Sequence, residues 1–142
     1  MTTSRCRVII LVLTCAIAPG CGNGGINAPR TSPVAGTVLK GGKPVAGVKV
    51  TFHPKFDMGA VKYTPSGMTD NNGRFTLSTA AAGDGAPPGE YSVTFELLKG
   101  GTDKRGLDVE IDVWKGKYAD PTTGKPVEVQ KGENNLEPFK LD

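Results

Sequence analysis

From Val34 to the end of the chain, apolar and polar residues alternate in short runs separated by turn-forming clusters. In VKVTFHP, Val48, Val50 and Phe52 fall on one side of an extended chain, and Lys49, Thr51 and His53 on the other. VAGTVLK precedes it, across the turn signal GGKPVAG. RFTLST repeats the pattern with Phe75 and Leu77, and EYSVTFEL with Tyr91, Val93, Phe95 and Leu97. PVEVQKG offers Val127 and Val129. NLEPFKLD offers Leu136, Phe139 and Leu141, with Pro138 marking an edge strand or a bulge. Period two is the pattern of strands buried on one face, and no stretch of a dozen residues carries a clean helical stripe. Strands at this spacing with turns between them predict a sandwich or a barrel. About a dozen inward side chains, at roughly 1.5–3 kcal/mol each before entropy, suffice for a small core. The expectation is a single all-β domain over 34–142.

TDNNGRF, Thr69 to Phe75, concentrates an acid, two amides and a glycine. A calcium loop of the helix-flanked kind would need a bidentate Glu at its twelfth position. Counted from Asp70 that position is Ala81, and no helical pattern flanks it. Asn72-Gly73 suits a type I′ hairpin turn, and the Asp70 carboxylate can accept from amides ahead of it. The stretch therefore predicts a hairpin tip with strands on both sides.

The segment from Lys99 to Lys125 is long for a connection in so small a domain, which marks it as functional or unstructured. Within it, DVEIDVW places Asp108, Glu110 and Asp112 on one parity and Val109, Ile111 and Val113 on the other. The outer two acids would lie about 13 Å apart on a strand, too far to share an ion unaided. They form either a solvated face or an acidic stripe for a basic partner or weakly held calcium. Trp114 and Tyr118 form either an exposed aromatic platform for a sugar or a cap on the open end of the sandwich.

The N-terminus reads as an address. Arg5 and Arg7 precede an apolar run, Val8 to Ala18, which at 11 residues is too short for the roughly 20 a membrane helix needs. It has the length of a signal-peptide core. The following APGC resembles a bacterial lipobox, with Gly20–Cys21 as its critical pair and Ala18 where Leu is usual. Cys6 and Cys15 would leave with a signal peptide over 1–20, so Cys21 would be the one cysteine of the mature chain. A lone cysteine in an oxidising space has no internal disulfide partner. Acylated, it is an anchor, durable once it carries more than one chain. Residues 21–33, with GNGGINAPRTSP, read as a flexible tether. The protein is thus expected to be exported and held to the membrane by lipid at Cys21, on the outer membrane or the periplasmic face.

Composition narrows the chemistry. The formal charge is +3, and without Arg5 and Arg7 the remainder is near neutral, with Lys and Glu interspersed. There is no basic run for nucleic acid. His53 is the one histidine; it falls on the outward parity of its strand, where it reads as solvated. A nucleophile–histidine–acid triad would have to be built around it, and zinc would need three or four ligands. No catalytic residue, metal or cofactor is expected.

The order of the motifs adds a resemblance. VAGTVLKGGKPVAGVKVTFHP, GMTDNNGRFTL and PPGEYSVTFE together resemble the carboxypeptidase regulatory-like domain, through Gly36, Val38, Gly42, Pro44, Gly47, Val50, Thr69, Gly73, Phe75, Leu77, Pro88, Gly89, Tyr91 and Val93. The closing GKYADPTTGKPVEVQKGENNLEPFKLD is similar to small lipoproteins of Planctomycetes-type bacteria that carry this domain. The resemblance covers about 34–142. It implies a seven-stranded, Ig-like or transthyretin-like β-sandwich with no established activity. The 5-hydroxyisourate hydrolases of the same fold use several histidines, an arginine and a Tyr-Arg-Gly-Ser-like C-terminus. This chain has one histidine and ends in FKLD. The expected function is a non-enzymatic, lipid-anchored envelope module that binds an envelope protein or polysaccharide. The alternative is a carbohydrate-binding domain using Trp114 and Tyr118.

Overall fold

The computed structural model describes residues 28–142. The expected signal peptide and Cys21 lie outside the described residues. Among the described residues there is no helix, and ten strands form two sheets.

In the first sheet β1 (Val34–Lys40) is central. One flank carries β5 (Arg74–Thr76) and β2 (Lys43–Pro44), both antiparallel to it. The other carries β9 (Asn134–Asn135) and β10 (Phe139–Leu141), both parallel to it. In the second sheet β3 (Val48–Pro54) lies between β4 (Ser66–Met68) and β6 (Gly89–Thr102). The far edge of β6 is lined in succession by β8 (Lys125–Val129), a bond from Phe95 N–H to the Tyr118 carbonyl, and β7 (Asp108–Asp112).

The alternation locates the core. Val48, Val50, Phe52, Phe75, Leu77, Tyr91, Val93, Phe95, Val129, Phe139 and Leu141 are buried between the sheets. Leu97, Val127 and Leu136 are half-buried and pack against them. All five phenylalanines of the chain and Tyr91 form one connected aromatic run. It crosses between the sheets twice, at Phe52–Phe75 (6.5 Å between ring centres) and at Phe95–Phe139 (5.1 Å). Such tilted contacts add to area burial.

PPGEY turns the chain into β6. The buried Tyr91 hydroxyl donates to the Pro87 carbonyl four residues back, at 2.7 Å. This is the arrangement of a tyrosine corner. Burial pushes its pKa up to about 12. Its neutral form is favoured by folding, so that contribution is complete below the unfolded value near 10 and is lost as pH rises toward 12. Tyr91→Phe is expected to cost about 1–2 kcal/mol by leaving the carbonyl without its donor. Urea melts at pH 7 check the cost. A spectrophotometric titration in which every tyrosine ionises near pH 10 in the folded protein would refute the assignment.

Three expectations need correction. First, the turn at Asn72-Gly73 is not type I′. Gly73 has φ +70°, but Asn72 is not among the residues with positive φ. The Gly73 N–H bonds to the Asp70 carbonyl and the Asp70 N–H to the Arg74 carbonyl, so this is a type I turn closed by a left-handed glycine. Second, its two arms meet at the tip and again at Ser66–Ser78, but between these points they part. Thr69 bonds into β3, and Leu77 into β1. The hairpin is a corner joining the two sheets, because each arm finds a longer partner in a different sheet. Third, of the two readings left open for the segment after Lys99, the unstructured one does not hold for its first part. β6 continues through Gly100 and Gly101 to Thr102, and β7 returns along it.

Candidate functional site

The Asp70 carboxylate is committed to the backbone. Its Oδ1 accepts from the Asn72 N–H at 2.8 Å and the Arg74 N–H at 2.9 Å. The same device recurs at the tip of the β6–β7 hairpin. There Asp103 Oδ1 accepts from the N–H groups of Arg105 and Leu107, at 2.8 and 3.0 Å. Gly106 takes the left-handed position, with φ +78°. Thr69-Asp70-x-x-Gly73 and Thr102-Asp103-x-x-Gly106 are thus one turn motif used twice. The repeat was readable in the sequence and would have located the second hairpin. The Leu107 N–H first, and then Arg105, hold the Asp103 carboxyl below the usual range against a smaller opposing effect of desolvation.

The three acids of DVEIDVW do not act together. Asp112 turns to the backbone: Oδ1 accepts from Leu97 and Trp114 N–H, and Oδ2 from Gly116 N–H at 2.7 Å. Desolvation pushes its carboxyl up, but these three donors outweigh it and hold the group below the ordinary value. Asp112 thereby shapes the turn carrying Trp114 and Tyr118, in which Lys115 has φ +53°. Asp108 and Glu110 stay exposed on the ribbon, with no lysine or arginine in salt-bridge range among the described residues.

Trp114 and Tyr118 are brought together edge to face, with ring centres 5.2 Å apart and planes at 88°. Both are half-buried and pack against the core. Two ammonium groups stand over the Tyr118 ring, Lys117 at 5.0 Å and Lys40 at 5.5 Å. The Tyr118 hydroxyl, Lys40 and Lys117 all donate to the backbone oxygen of Asp142. Desolvation pushes the Tyr118 hydroxyl up, but the two lysines outweigh it, and it titrates below the usual tyrosine range. The cluster ties the ends of β1 and β10 to the turn that follows β7. It does not present two coplanar open ring faces.

His53 is half-buried, not freely solvated as its parity suggested: Nε2 lies 2.9 Å from Thr94 Oγ1 on the neighbouring strand. Burial lowers its pKa, and Glu96 partly opposes that. The described residues contain no group of three or more potential metal ligands. A groove of about 440 Å³ runs along Lys125–Val127 and Leu136–Lys140 and holds one carboxylate, Glu137, with no histidine or cysteine. Its other charged groups are Lys125 and Lys140.

The feature left unexplained by packing is the ribbon of Leu98–Thr102 and Asp108–Asp112. β3 ends its pairing at Leu97, so the ribbon extends past the sandwich as two strands alone. Leu107, Ile111 and Val113 lie on one of its faces with 54%, 48% and 45% of their surface exposed. Sequence parity identified this apolar face but not that it is uncovered.

No protein family and no curated protein matches the chain. Solved structures similar to it include a 9R-lipoxygenase from Cyanothece PCC8801, at 17% identity and a TM-score of 0.45 over 82% of this chain. The major pilin subunit of Bacillus cereus aligns at 16% identity, with a TM-score of 0.44 over 80%. The dioxygenase domain of a dioxygenase carbohydrate-binding protein fusion from Streptomyces sp. SirexAA-E aligns at 18%, with a TM-score of 0.37 over 81%. The chain spans 17% of the lipoxygenase, 30% of the pilin and 81% of the dioxygenase domain.

Proposed function

We propose that this chain is a non-enzymatic, lipid-anchored module of the cell envelope that holds a partner away from the membrane. The observation that carries the reading is the projecting ribbon, whose apolar face no other described element covers. An exposed apolar surface on a small domain marks an interaction site. The fold assignment that goes with it is a seven-stranded, Ig-like sandwich of the carboxypeptidase regulatory-like, transthyretin-like kind. The buried alternating core and the PPGEY corner support it. The N-terminal features support export and acylation at Cys21 after removal of 1–20. The carbohydrate reading draws less support, since the Tyr118 ring is already engaged by Lys40, Lys117 and Trp114.

Cys21→Ala is expected to release the protein from membranes or leave an uncleaved precursor. Intact mass of native material showing an unmodified Cys21 thiol would end the anchoring reading. Pull-down of the tagged, lipidated protein from its own envelope is expected to retain a protein partner. Quenching of Trp114 fluorescence by oligosaccharides, with no protein retained, would favour the carbohydrate reading instead.

A further inference from the structure

We propose that the outer edge of β7 is a strand-addition site for an extended segment of a partner protein in which cationic and aliphatic residues alternate. This rests on the reading of the chain as an interaction module and names where and what it binds.

The register decides which groups face outward. Val113 N–H bonds to the Leu97 carbonyl, and Asp103 N–H to the Leu107 carbonyl. By antiparallel alternation, residues 107, 109, 111 and 113 direct their backbone groups at β6, and Asp108 and Glu110 direct theirs away. No strand lies on that side among the described residues. The edge therefore offers the N–H and C=O groups of Asp108 and Glu110 to an incoming strand.

The side chains select the strand. On one face stand Asp108 and Glu110, whose cross-strand neighbours on β6 are Thr102 and Gly100. Neither neutralises a carboxylate. On the other face stand the exposed Leu107 and Ile111, with Val109 between them. An added strand meets acids on one face and aliphatic groups on the other, so it must alternate lysine or arginine with valine, isoleucine or leucine. A second copy of this edge is a poor occupant. Antiparallel self-pairing centred on Glu110 sets Glu110 against Glu110 and Asp108 against Asp112, and like charges directly opposite are destabilising.

The direction of the ribbon favours a protein over the membrane as occupant. The chain enters the sandwich at Ser32, which bridges to Ala86 just before β6 begins. The 14 residues of β6 then run to the ribbon tip, about 45 Å at the rise of a strand. The tip therefore lies at the end of the domain opposite the point where the tether enters.

The test uses a labelled peptide of about seven residues alternating lysine and valine, read by fluorescence anisotropy against the intact protein. Three further probes accompany it: the glutamate–valine counterpart, the lysine–valine peptide N-methylated on alternate residues, and vesicles of phosphatidylcholine and phosphatidylglycerol. The lysine–valine peptide is expected to bind at least about tenfold more tightly than the other two peptides. The double variant Asp108→Lys, Glu110→Lys is expected to reverse that preference toward the glutamate–valine peptide, a gain that misfolding cannot produce. Equal binding of the N-methylated peptide would overturn strand addition. An unchanged preference in the double variant, or binding to the vesicles alone, would overturn the assigned occupant. Absence of peptide binding would overturn the site while leaving the module reading, which stands on envelope capture, intact.

Discussion

Gly73→Val is expected to destabilise the domain by about 3–5 kcal/mol, and to do so equally with calcium or with chelator. Gly73 sits buried in the turn at φ +70°. A non-glycine residue held in a sparsely populated backbone region costs about 1–3 kcal/mol. A β-carbon there would also stand 2.7 Å from the Val38 carbonyl oxygen and 3.0 Å from Pro44 Cβ. Overpacking of that kind costs about another 1–3 kcal/mol. The Val38 N–H meanwhile bonds to the Gly73 carbonyl, so displacing the turn disturbs β1 as well. Asp70→Ala is expected to cost less. It removes two bonds at an exposed turn but leaves the backbone free to keep its course. Urea melts of both variants decide: if Asp70→Ala is the more damaging change, and only in calcium, the loop is a metal site.

Phe52→Ala should be comparably severe, at about 3–5 kcal/mol, for a different reason. Its ring is fully buried and touches both Tyr91 in its own sheet and Phe75 across the core. Truncation leaves a void between two sheets whose backbones are fixed by their own ladders, so the site cannot collapse around it. Small domains typically have about 5–15 kcal/mol in total, and this single change takes a large share. Phe56→Ala is the comparison, since Phe56 is only half-buried and meets Tyr91 at the rim. Similar urea midpoints for the two variants would show that the aromatic run does not join the sheets as described.

Burial was legible in the chain wherever alternation continued without interruption. VKVTFHP and EYSVTFEL became β3 and the inner part of β6, with the expected faces buried. Pairing was less legible, because period two says which face is buried but not which neighbour is hydrogen-bonded. TDNNGRF shows this: its turn chemistry is local, yet its arms part because β1 and β3 compete for them. The ribbon was missed for a local reason. Gly100 and Gly101 lower strand propensity, and only pairing with β7 holds that stretch extended. Asp112 shows the limit for sites. Parity grouped it with Asp108 and Glu110, but three backbone N–H groups claimed its carboxylate. His53 gained Thr94 as a partner from the neighbouring strand, which its own strand did not reveal.

The central claim is that the protein works by holding a partner at the β7 edge, and crosslinking in the native envelope tests it most directly. A photoreactive residue replacing Glu110 is compared with one replacing the exposed Lys55, which lies beside Glu90 near the other end of the second sheet. The account predicts a single discrete adduct from position 110, competed away by the lysine–valine peptide, and none from position 55. No adduct from position 110, or the same adduct from both positions, would contradict it.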